Sequence, residues 1–385
     1  MKIIAGQVVR GSDFWDRKYL LEDILEIIEN NGHILLVAPR RVGKTSLMYR
    51  IKDTMDQEYL VIYINTEAEH SLDDFWKKLF YTLTDDEFLG NIQQKAKIFF
   101  ENLKSIRFDE LTLKGVKFGD SKDVEYDKVF KELLKSYDGD KKLIIMLDEF
   151  SQTVENIIKH ESSQQAEKLL QSHREIRQDE QLSQKTVFIY AGSIGLESVV
   201  ATIQASKYIN DLDSISVPPL EFDDAKEFTK KLLEQNDITT TDEDIEYILE
   251  KVKWYIPFYI QLICKEIKRL YRRNPLLDKA MIDKAEEKVL QQRKDFIHWE
   301  ERLNILSKDE RKFAKDVLNG ISIANTITSN EIVNLGEKYQ LDEEMAKKII
   351  HSLKYDGYID NTPNPKEYRF NSPLLQTWWC NNVAN

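Results

Sequence analysis

One short segment, Gly43-Lys44-Thr45, constrains the fold more than any other feature of this sequence. It stands between an apolar run over residues 34 to 38 and an amphipathic, helical pattern that begins at Ser46. A strand, a loop and a helix in this order direct backbone N–H groups and a helix N-terminus at one point, which is the geometry of a phosphate-binding loop. The alternative is that Gly-Lys-Thr only begins an ordinary helix, and the preceding strand pattern argues against it.

Each polar residue of the loop has a predicted task. Lys44 is expected to reach the β- and γ-phosphates of a nucleotide, and the Thr45 hydroxyl to bind Mg²⁺. Ala38 stands where the full motif has glycine, and alanine loses only the freedom to adopt positive φ. The expected nucleotide contacts are therefore Pro39, Arg40, Arg41, Val42, Gly43, Lys44, Thr45 and Ser46.

Short apolar runs recur along the first 220 residues and alternate with amphipathic stretches. Such runs fit strands that are covered on both faces, and their alternation with helices is typical of a parallel α/β sheet. We therefore expect an α/β nucleotide-binding domain over residues 1–220, with a candidate insertion at 85–126 that includes a hairpin near 107–118. The predicted strands are 34–38, 59–65, 143–147, 187–191 and 214–217.

Two of these strands end in polar residues. Asp148 and Glu149 follow the apolar run 143–147, and Gly192-Ser193 follows the next one. The carboxyl edge of a parallel sheet faces the nucleotide crevice, so Asp148 is expected in the magnesium shell and Glu149 beside the attacking water. A helix N-cap at Asp148-Glu149 and a simple turn at Gly192-Ser193 are the alternatives.

From Glu221 the pattern is helical throughout, which predicts a helical lid domain over residues 221–299. Residues 300–385 read as three helices (308–318, 329–338 and 342–354) followed by a hairpin near 358–370, the pattern of a winged helix. The predicted fold class is thus α/β, a P-loop NTPase sheet with a helical lid and a C-terminal winged helix.

Charge limits the partners. The chain carries 55 Lys and Arg against 67 Asp and Glu, a net charge of −12, so it has no general attraction for nucleic acid or anionic lipid. Residues 300–385 carry 13 acidic and 11 basic side chains, and the helix that would read DNA opens with Asp342-Glu343-Glu344. The basic stretch Lys265–Arg273 could meet nucleic acid, a protein or solvent. Trp378-Trp379 reads as core packing, with an aromatic docking surface as the alternative.

Other compositional signals are negative. Cys264 and Cys380 are the two cysteines, and they form neither a disulfide framework nor a metal-binding spacing. No segment of the sequence approaches the roughly 20 apolar residues that cross a bilayer, and the first residues do not read as a signal peptide. We therefore expect a cytoplasmic protein without a membrane partner.

Together these motifs resemble an AAA+-related NTPase of the STAND group, near the archaeal-type ATPases. The resemblance rests on Gly11-x-x-Phe14-x-x-Arg17, on the loop 38–47, on the strands 143–150 and 190–193, and on the lid segments 216–232 and 254–263. It implies that Gly11, Phe14, Arg17 and Pro257 contact the nucleotide and that Ser193 is the sensor-1 residue.

The resemblance also implies ATP and Mg²⁺ as cofactors and slow hydrolysis of ATP to ADP. Arg174 and Arg177 are candidates for an arginine finger that acts on a neighbouring subunit of a homo-oligomer, with solvated surface arginines as the alternative. Three functions fit: a regulatory switch with a protein partner, a replication-initiator-like or transposition-adaptor-like ATPase that loads onto DNA through the lid or winged helix, and a non-hydrolysing nucleotide-binding module. Glu149 disfavours the last, and the acidic recognition helix disfavours the second.

Overall fold

A computed structural model describes residues 1–15, 17–55, 59–84, 110–112, 115–117, 125–137, 139–192 and 195–384 of the chain. They form two compact units. The first consists of Met1–Asp16, Ala38–Ser46 and Val217–Asn385, and the second of Arg17–Val37 and Leu47–Ser216. The phosphate loop thus groups with the lid and the C-terminal segment, although it follows a strand of the other unit in the chain.

The second unit is built on a five-stranded sheet in the order β2-β5-β6-β1-β7, in which every pair of neighbours is parallel. The predicted α/β class and all five predicted strands are confirmed, with ends shifted by no more than two residues. The central strands β5 and β6 are almost wholly buried, which explains their continuous apolar runs. The strands are β1 His33–Val37, β2 Tyr59–Asn65, β5 Lys142–Asp148, β6 Thr186–Ala191 and β7 Leu212–Ser216.

Amphipathic helices cover this sheet. The side chain of Ser71 accepts a hydrogen bond from the backbone N–H of Asp74 and so caps the third helix. One core joins the sheet to the helices that lie between Leu72 and Thr202. The helices are α1 Lys18–Glu29, α2 Lys44–Met55, α3 Leu72–Leu83, α4 Tyr126–Ser136, α5 Phe150–His160, α6 Ser163–Arg177 and α7 Leu196–Thr202, with a short 3₁₀ turn at Ser206–Tyr208.

A small hairpin lies inside the predicted insertion. The strands β3 Glu110–Thr112 and β4 Gly115–Lys117 pair antiparallel, with Leu111 opposite Val116. This agrees with the hairpin expected near residues 107–118. The rest of the predicted insertion before residue 125 lies outside the described residues.

The first unit contains the helical segment that the sequence predicts as a lid. Thr241 and Asp244 form a reciprocal capping box at the start of its second helix, and Pro257 occupies the first turn of its third helix, where proline is well tolerated. The helices are α8 Phe222–Glu234, α9 Asp242–Val252, α10 Pro257–Tyr271, α11 Lys279–Leu290 and α12 Ile297–Arg302, with 3₁₀ turns at Arg293–Asp295 and Leu303–Ile305.

Four helices and a small antiparallel sheet occupy the segment in which the sequence predicts a winged helix. The sheet has the order β8-β10-β9. Its two-residue strand β8 is too short to produce a periodic pattern, so the sequence does not reveal it. The elements are α13 Lys308–Ala324, β8 Ile327–Thr328, α14 Ser329–Lys338, α15 Glu343–Tyr355, β9 Ile359–Asn361, β10 Glu367–Phe370 and α16 Pro373–Asn382.

The lid and the C-terminal segment share one hydrophobic core, which runs from Leu220 to Trp379. The ring of Phe296 stacks on Trp378 with centroids 5.6 Å apart, and Trp299 meets Tyr358 edge-on at 4.8 Å. The predicted boundary between residues 299 and 300 therefore falls inside continuous packing. Trp378 and Trp379 are buried in this core, as the core-packing interpretation expects.

Candidate nucleotide-binding site

The phosphate loop turns on two residues with positive φ. Within residues 38–46, all of which are described, these are Arg41 at 66° and Gly43 at 104°. Ala38, which replaces the motif glycine, does not need that conformation and is buried. The substitution at Ala38 therefore introduces no backbone strain, and Gly43 supplies the freedom that the turn requires.

Lys44 begins α2 and is largely buried. Its ammonium Nζ donates to the carbonyl oxygens of Ala38 at 2.8 Å and Pro39 at 3.2 Å. The side chain thus folds back over the loop that precedes it. A phosphate that recruits this ammonium would change its contacts with both carbonyls.

Arg41 projects from the loop onto the lid. Its guanidinium lies 4.8 Å from the centroid of the Phe258 ring, at the start of α10. Gly6 completes the contact, because a Cβ built there would stand 3.6 Å from Phe258 and 3.8 Å from Arg41. The loop, the N-terminal segment and α10 therefore meet at one point, beside Pro257.

The N-terminal segment is tied to the same unit. The backbone N–H of Val9 donates to the Ser46 hydroxyl at 3.0 Å, and that of Ile4 donates to Gln261 Oε1 at 2.8 Å. The predicted nucleotide contact Gly11 opens a 3₁₀ turn, Gly11–Asp13, to which Phe14 closes by a backbone hydrogen bond. Arg17 is the N-cap residue of α1 and belongs to the second unit.

The turn after α15 approaches the phosphate loop closely. Gly357 has a φ of 88°, and a Cβ built there would stand 2.9 Å from the Cβ of Pro39 and 2.8 Å from the ring of Trp254. Only a glycine fits this space without displacing its neighbours. Loop, lid and C-terminal segment thus meet around the backbone of Gly357.

A buried ion pair fixes this turn. Arg302, at the end of α12, donates to both carboxylate oxygens of Asp356 at 2.9 and 2.8 Å. The Tyr358 hydroxyl donates to the backbone carbonyl of Trp299 at 2.6 Å. The residues on both sides of Gly357 are therefore anchored to the same short helix.

His298 lies beside this ion pair. Both of its ring nitrogens are buried without a hydrogen-bond partner. Burial, together with the positive charges of Arg41, Arg40 and Arg302, lowers the pKa of His298 to about 3. The imidazole is therefore neutral over the physiological pH range.

The predicted carboxylates lie in the second unit, at the carboxyl end of β5. Asp148 is 1% exposed, and its backbone carbonyl accepts hydrogen bonds from the N–H and the hydroxyl of Thr66. Glu149 is the N-cap residue of α5 and has a φ of 57°, in the left-handed region. Non-glycine residues are uncommon in this region, and strained residues of this kind cluster at functional sites.

Tyr63 on β2 contacts the Asp148 side chain. Its hydroxyl donates to Asp148 Oδ2 at 2.8 Å, while Oδ1 accepts the backbone N–H of Glu149 at 3.1 Å. Burial and the negative charge of Asp148 raise the pKa of Tyr63, so the hydroxyl keeps its proton. The carboxylate is therefore held by a donor on each oxygen.

The arginine-finger candidates have different surroundings. Arg177 is buried, and its guanidinium donates to both carboxylate oxygens of Asp211 at 2.8 Å and to the Tyr190 hydroxyl at 3.0 Å. This network engages the guanidinium inside its own unit, which does not suit a role in a neighbouring subunit. Arg174 is half-buried on the same helix. Ser193 lies outside the described residues.

Three functional contacts escape sequence reasoning. Tyr63 is part of an ordinary apolar strand, Phe258 looks like core packing after Pro257, and Gly357 looks like a turn glycine. The sequence offers a signal for Phe258 alone, which directly follows the predicted site residue Pro257.

The chemistry of the predicted ligands, each taken by itself, suits a magnesium ion bound together with a nucleotide. Mg²⁺ in such sites takes one or two protein oxygens and completes its shell with phosphates and water. Asp148 and the Thr45 hydroxyl are oxygen donors of this kind. Within the part of the chain that the structure describes, no group of three or more His, Cys, Asp or Glu side chains could hold a metal alone. Nor is any helix among the described residues long and apolar enough to cross a membrane.

Comparison with known proteins identifies a family for this chain. Residues 14–253 match the model of an ATPase domain predominantly from Archaea. The match includes the loop, β5 and the first two lid helices. The search of curated proteins gives no match.

Two solved structures are similar over nearly the whole chain. A Walker-type ATPase of Pyrococcus abyssi is 19% identical with a TM-score of 0.68, over 98% of this chain and 99% of that one. The ORC2 protein of Aeropyrum pernix, determined as ADPNP–ADP complexes, is 13% identical with a TM-score of 0.52, over 92% and 88%. At these identities the likeness shows the fold, whereas the family model spans more than half of the sequence. The chain belongs to the family of ATPase domains found predominantly in Archaea, and its fold is that of a P-loop ATPase.

Proposed function

We propose that this ATPase is a regulatory switch of the STAND type, in which the nucleotide bound at the phosphate loop sets the arrangement of the lid and the C-terminal winged helix. The observation that carries the proposal is the close approach of Gly357 to Pro39 and Trp254. A contact this tight transmits a displacement of one partner to the other, because packed groups have little free space to absorb it.

The phosphate loop has a means of starting such a displacement. Lys44 binds the carbonyl oxygens of Ala38 and Pro39, so phosphates that attract its ammonium alter the contacts of Pro39 itself. A ligand shifts a conformational equilibrium only through contacts that differ between the states. ATP and ADP differ in the γ-phosphate, and we infer that this difference reaches Gly357 through Pro39.

The lid and the winged helix respond together in this proposal. The shared core and the anchors on either side of Gly357, the Arg302–Asp356 pair and the Tyr358 hydroxyl, support a single moving body. The bound nucleotide then changes the surface of the lid and the winged helix, and a protein partner binds to that surface.

For the chemistry, we propose that Lys44 stabilises the β- and γ-phosphates and that Thr45 and Asp148 bind Mg²⁺, which neutralises phosphate charge. Glu149 orients and deprotonates the attacking water, because phosphoryl transfer depends mainly on positioning and electrostatics. Ser193 is proposed to sense the γ-phosphate. Gly11, Phe14, Arg17 and Pro257 are proposed to contact the rest of the nucleotide, and Arg174 remains the candidate finger in a homo-oligomer.

Loading onto DNA is the second candidate, and the basic stretch Lys265–Arg273 is what favours it. Two of its cations are engaged, since Lys268 donates to Asn236 and Arg269 pairs with Glu266. The first turn of α15 carries Glu343 and Glu344, which repel phosphates. Charge therefore favours a protein partner over DNA. The third candidate is a module that binds nucleotide without hydrolysing it. It is disfavoured because Glu149, which is proposed to activate water, would then have no role.

Light scattering of the purified chain in ADP and in a non-hydrolysable ATP analogue with Mg²⁺, each with and without duplex DNA, separates these functions. The proposal expects no DNA complex in either state, and ATP turnover that DNA does not stimulate. A stable DNA complex formed only with the ATP analogue would replace the regulatory switch by the DNA-loading function.

A further inference from the structure

Tyr63 is a tyrosine on β2 that the proposed ATPase chemistry leaves without a task. We propose that it is a positioning residue for Mg²⁺: its hydroxyl holds the Asp148 carboxylate in the orientation in which that group binds the metal. The inference rests on the proposed role of Asp148 and adds a residue outside the motifs.

The register of the sheet brings the two side chains together. Tyr63 pairs with Met146 on β5, and Asp148 lies two residues further along that strand. Alternate residues of a strand point to the same face, so Tyr63 and Asp148 project from the same side of the sheet. The hydroxyl then reaches Asp148 Oδ2 at 2.8 Å.

This hydrogen bond decides which way the carboxylate faces. The backbone N–H of Glu149 binds Oδ1, and the Tyr63 hydroxyl binds Oδ2, so the carboxylate plane is fixed at both oxygens. Each oxygen keeps further lone pairs for a cation after accepting one hydrogen bond. Loss of a partner that orients a ligating group typically weakens metal binding by about 10- to 100-fold.

Tyr49 ties this arrangement to α2. Its ring lies against that of Tyr63, with centroids 4.6 Å apart and planes inclined by 33°. Tyr49 stands one turn after Thr45 in α2, and residues four apart share a face of a helix. The helix that carries the predicted magnesium ligand Thr45 thus also supports the side chain that orients the other ligand, Asp148.

The test uses the full chain with a non-hydrolysable ATP analogue, and Mn²⁺ as a paramagnetic probe of the metal site. Calorimetry in EDTA gives the metal-free nucleotide Kd, and titration of the analogue complex with Mn²⁺ followed by electron paramagnetic resonance gives the metal Kd. Tyr63→Phe removes the hydroxyl and keeps the ring. Tyr59→Phe is the matched control, since Tyr59 lies on the same strand and face, four residues before Tyr63.

We expect Tyr63→Phe to raise the Mn²⁺ Kd about 10-fold and to leave the metal-free nucleotide Kd within about twofold of the wild type. Tyr49→Leu keeps the hydrogen bond from the Tyr63 hydroxyl to Asp148 but removes the ring that packs against Tyr63. It should raise the Mn²⁺ Kd by about threefold. Tyr59→Phe should change neither constant.

An unchanged Mn²⁺ Kd in Tyr63→Phe overturns the inference. So does an equal loss of metal-free nucleotide binding, because the hydroxyl would then support the fold and not the metal. The variant Asp148→Asn tests the underlying proposal separately: if it binds Mn²⁺ as tightly as the wild type, Asp148 is not a ligand and both statements fail.

Discussion

The backbone of Gly357 lies directly against the side chain of Pro39, so close that a Cβ on Gly357 would stand 2.9 Å from the proline Cβ. One residue belongs to the turn after the third helix of the C-terminal segment, and the other to the phosphate loop. More than 300 residues separate them in the sequence. This contact makes the loop and the C-terminal segment parts of one unit.

Replacing Gly357 by alanine should weaken both the fold and nucleotide binding. The new Cβ would collide with Pro39 and Trp254, and φ at this position is 88°. Overpacking of this kind costs about 1–3 kcal/mol. Thermal unfolding and calorimetry with ATP measure the two effects.

Gly320→Ala is the matched control. Gly320 lies in α13, where a Cβ would stand 3.6 Å from Ile327 in ordinary contact. Alanine should be neutral or stabilising there by up to about 1 kcal/mol. If Gly357→Ala binds ATP and unfolds as the wild type does, the contact with Pro39 has no energetic consequence.

Lys44→Ala should lose most of its affinity for ATP. The substitution removes the ammonium that is proposed to bind the β- and γ-phosphates. A hydrogen bond to a charged group contributes about 1.5–3 kcal/mol, so the Kd for ATP should rise at least about 10-fold. Calorimetry with ATP and Mg²⁺ measures the change. Lys52→Ala, in the last turn of the same helix, should bind normally. Normal affinity in folded Lys44→Ala would refute the phosphate-loop assignment.

The central strands were predictable because their runs are continuous and apolar. β2 is found at the predicted residues, β5 extends one residue beyond the prediction at each end, and β6 begins one residue earlier. The grouping of residues 38–46 with the lid and the C-terminal segment was not predictable. It depends on packing between segments far apart in the chain, and hydrophobic period describes only local structure.

The candidate site divides in the same way. Residue type and position within a motif identify Lys44, Asp148 and Glu149 as candidate site residues from the sequence alone. Tyr63 does not, because only the register between β2 and β5 brings it to Asp148. For Arg177, the sequence suggested an arginine finger or a solvated side chain. Its ion pair with Asp211 could not be recognised, because Asp211 lies 34 residues away in the sequence.

Glu149→Gln should bind ATP like the wild type and hydrolyse it about 10²-fold more slowly or worse, because the amide cannot accept the proton of the attacking water. Parallel measurements of ATP affinity and of phosphate release separate the two effects. Glu155→Gln, on the helix that follows, provides the control. Wild-type turnover in Glu149→Gln would mean that another group positions the water.

Stability should fall as the pH drops below about 6.5. Burial lowers the pKa of His33 to about 4, and burial also holds the pKa of His173 well below its usual value. Between pH 6.5 and 4 the unfolded chain therefore binds more protons than the folded one, so the free energy of unfolding decreases with acidity. His33 alone should account for about 3 kcal/mol by pH 4.

Urea unfolding at pH 7, 6 and 5 measures this slope. His33→Gln should flatten it, whereas His351→Gln should leave it unchanged because His351 is exposed. A free energy of unfolding that is constant from pH 7 to 5 would mean that the buried imidazoles bind protons as readily in the folded chain as in the unfolded one.

Hydrogen exchange across nucleotide states tests the central claim most directly, because it reports on the loop, the lid and the C-terminal segment in one experiment. The chain is compared without nucleotide, with ADP, and with a non-hydrolysable ATP analogue and Mg²⁺, and Lys44→Ala serves as the control for ligand binding. We predict that the ATP analogue changes protection more than ADP does in residues 265–273, 307–318 and 354–361, and that Lys44→Ala abolishes the change. Identical protection of these segments in all three states, with nucleotide bound, would contradict the account and leave an ATPase whose C-terminal segment does not sense the nucleotide.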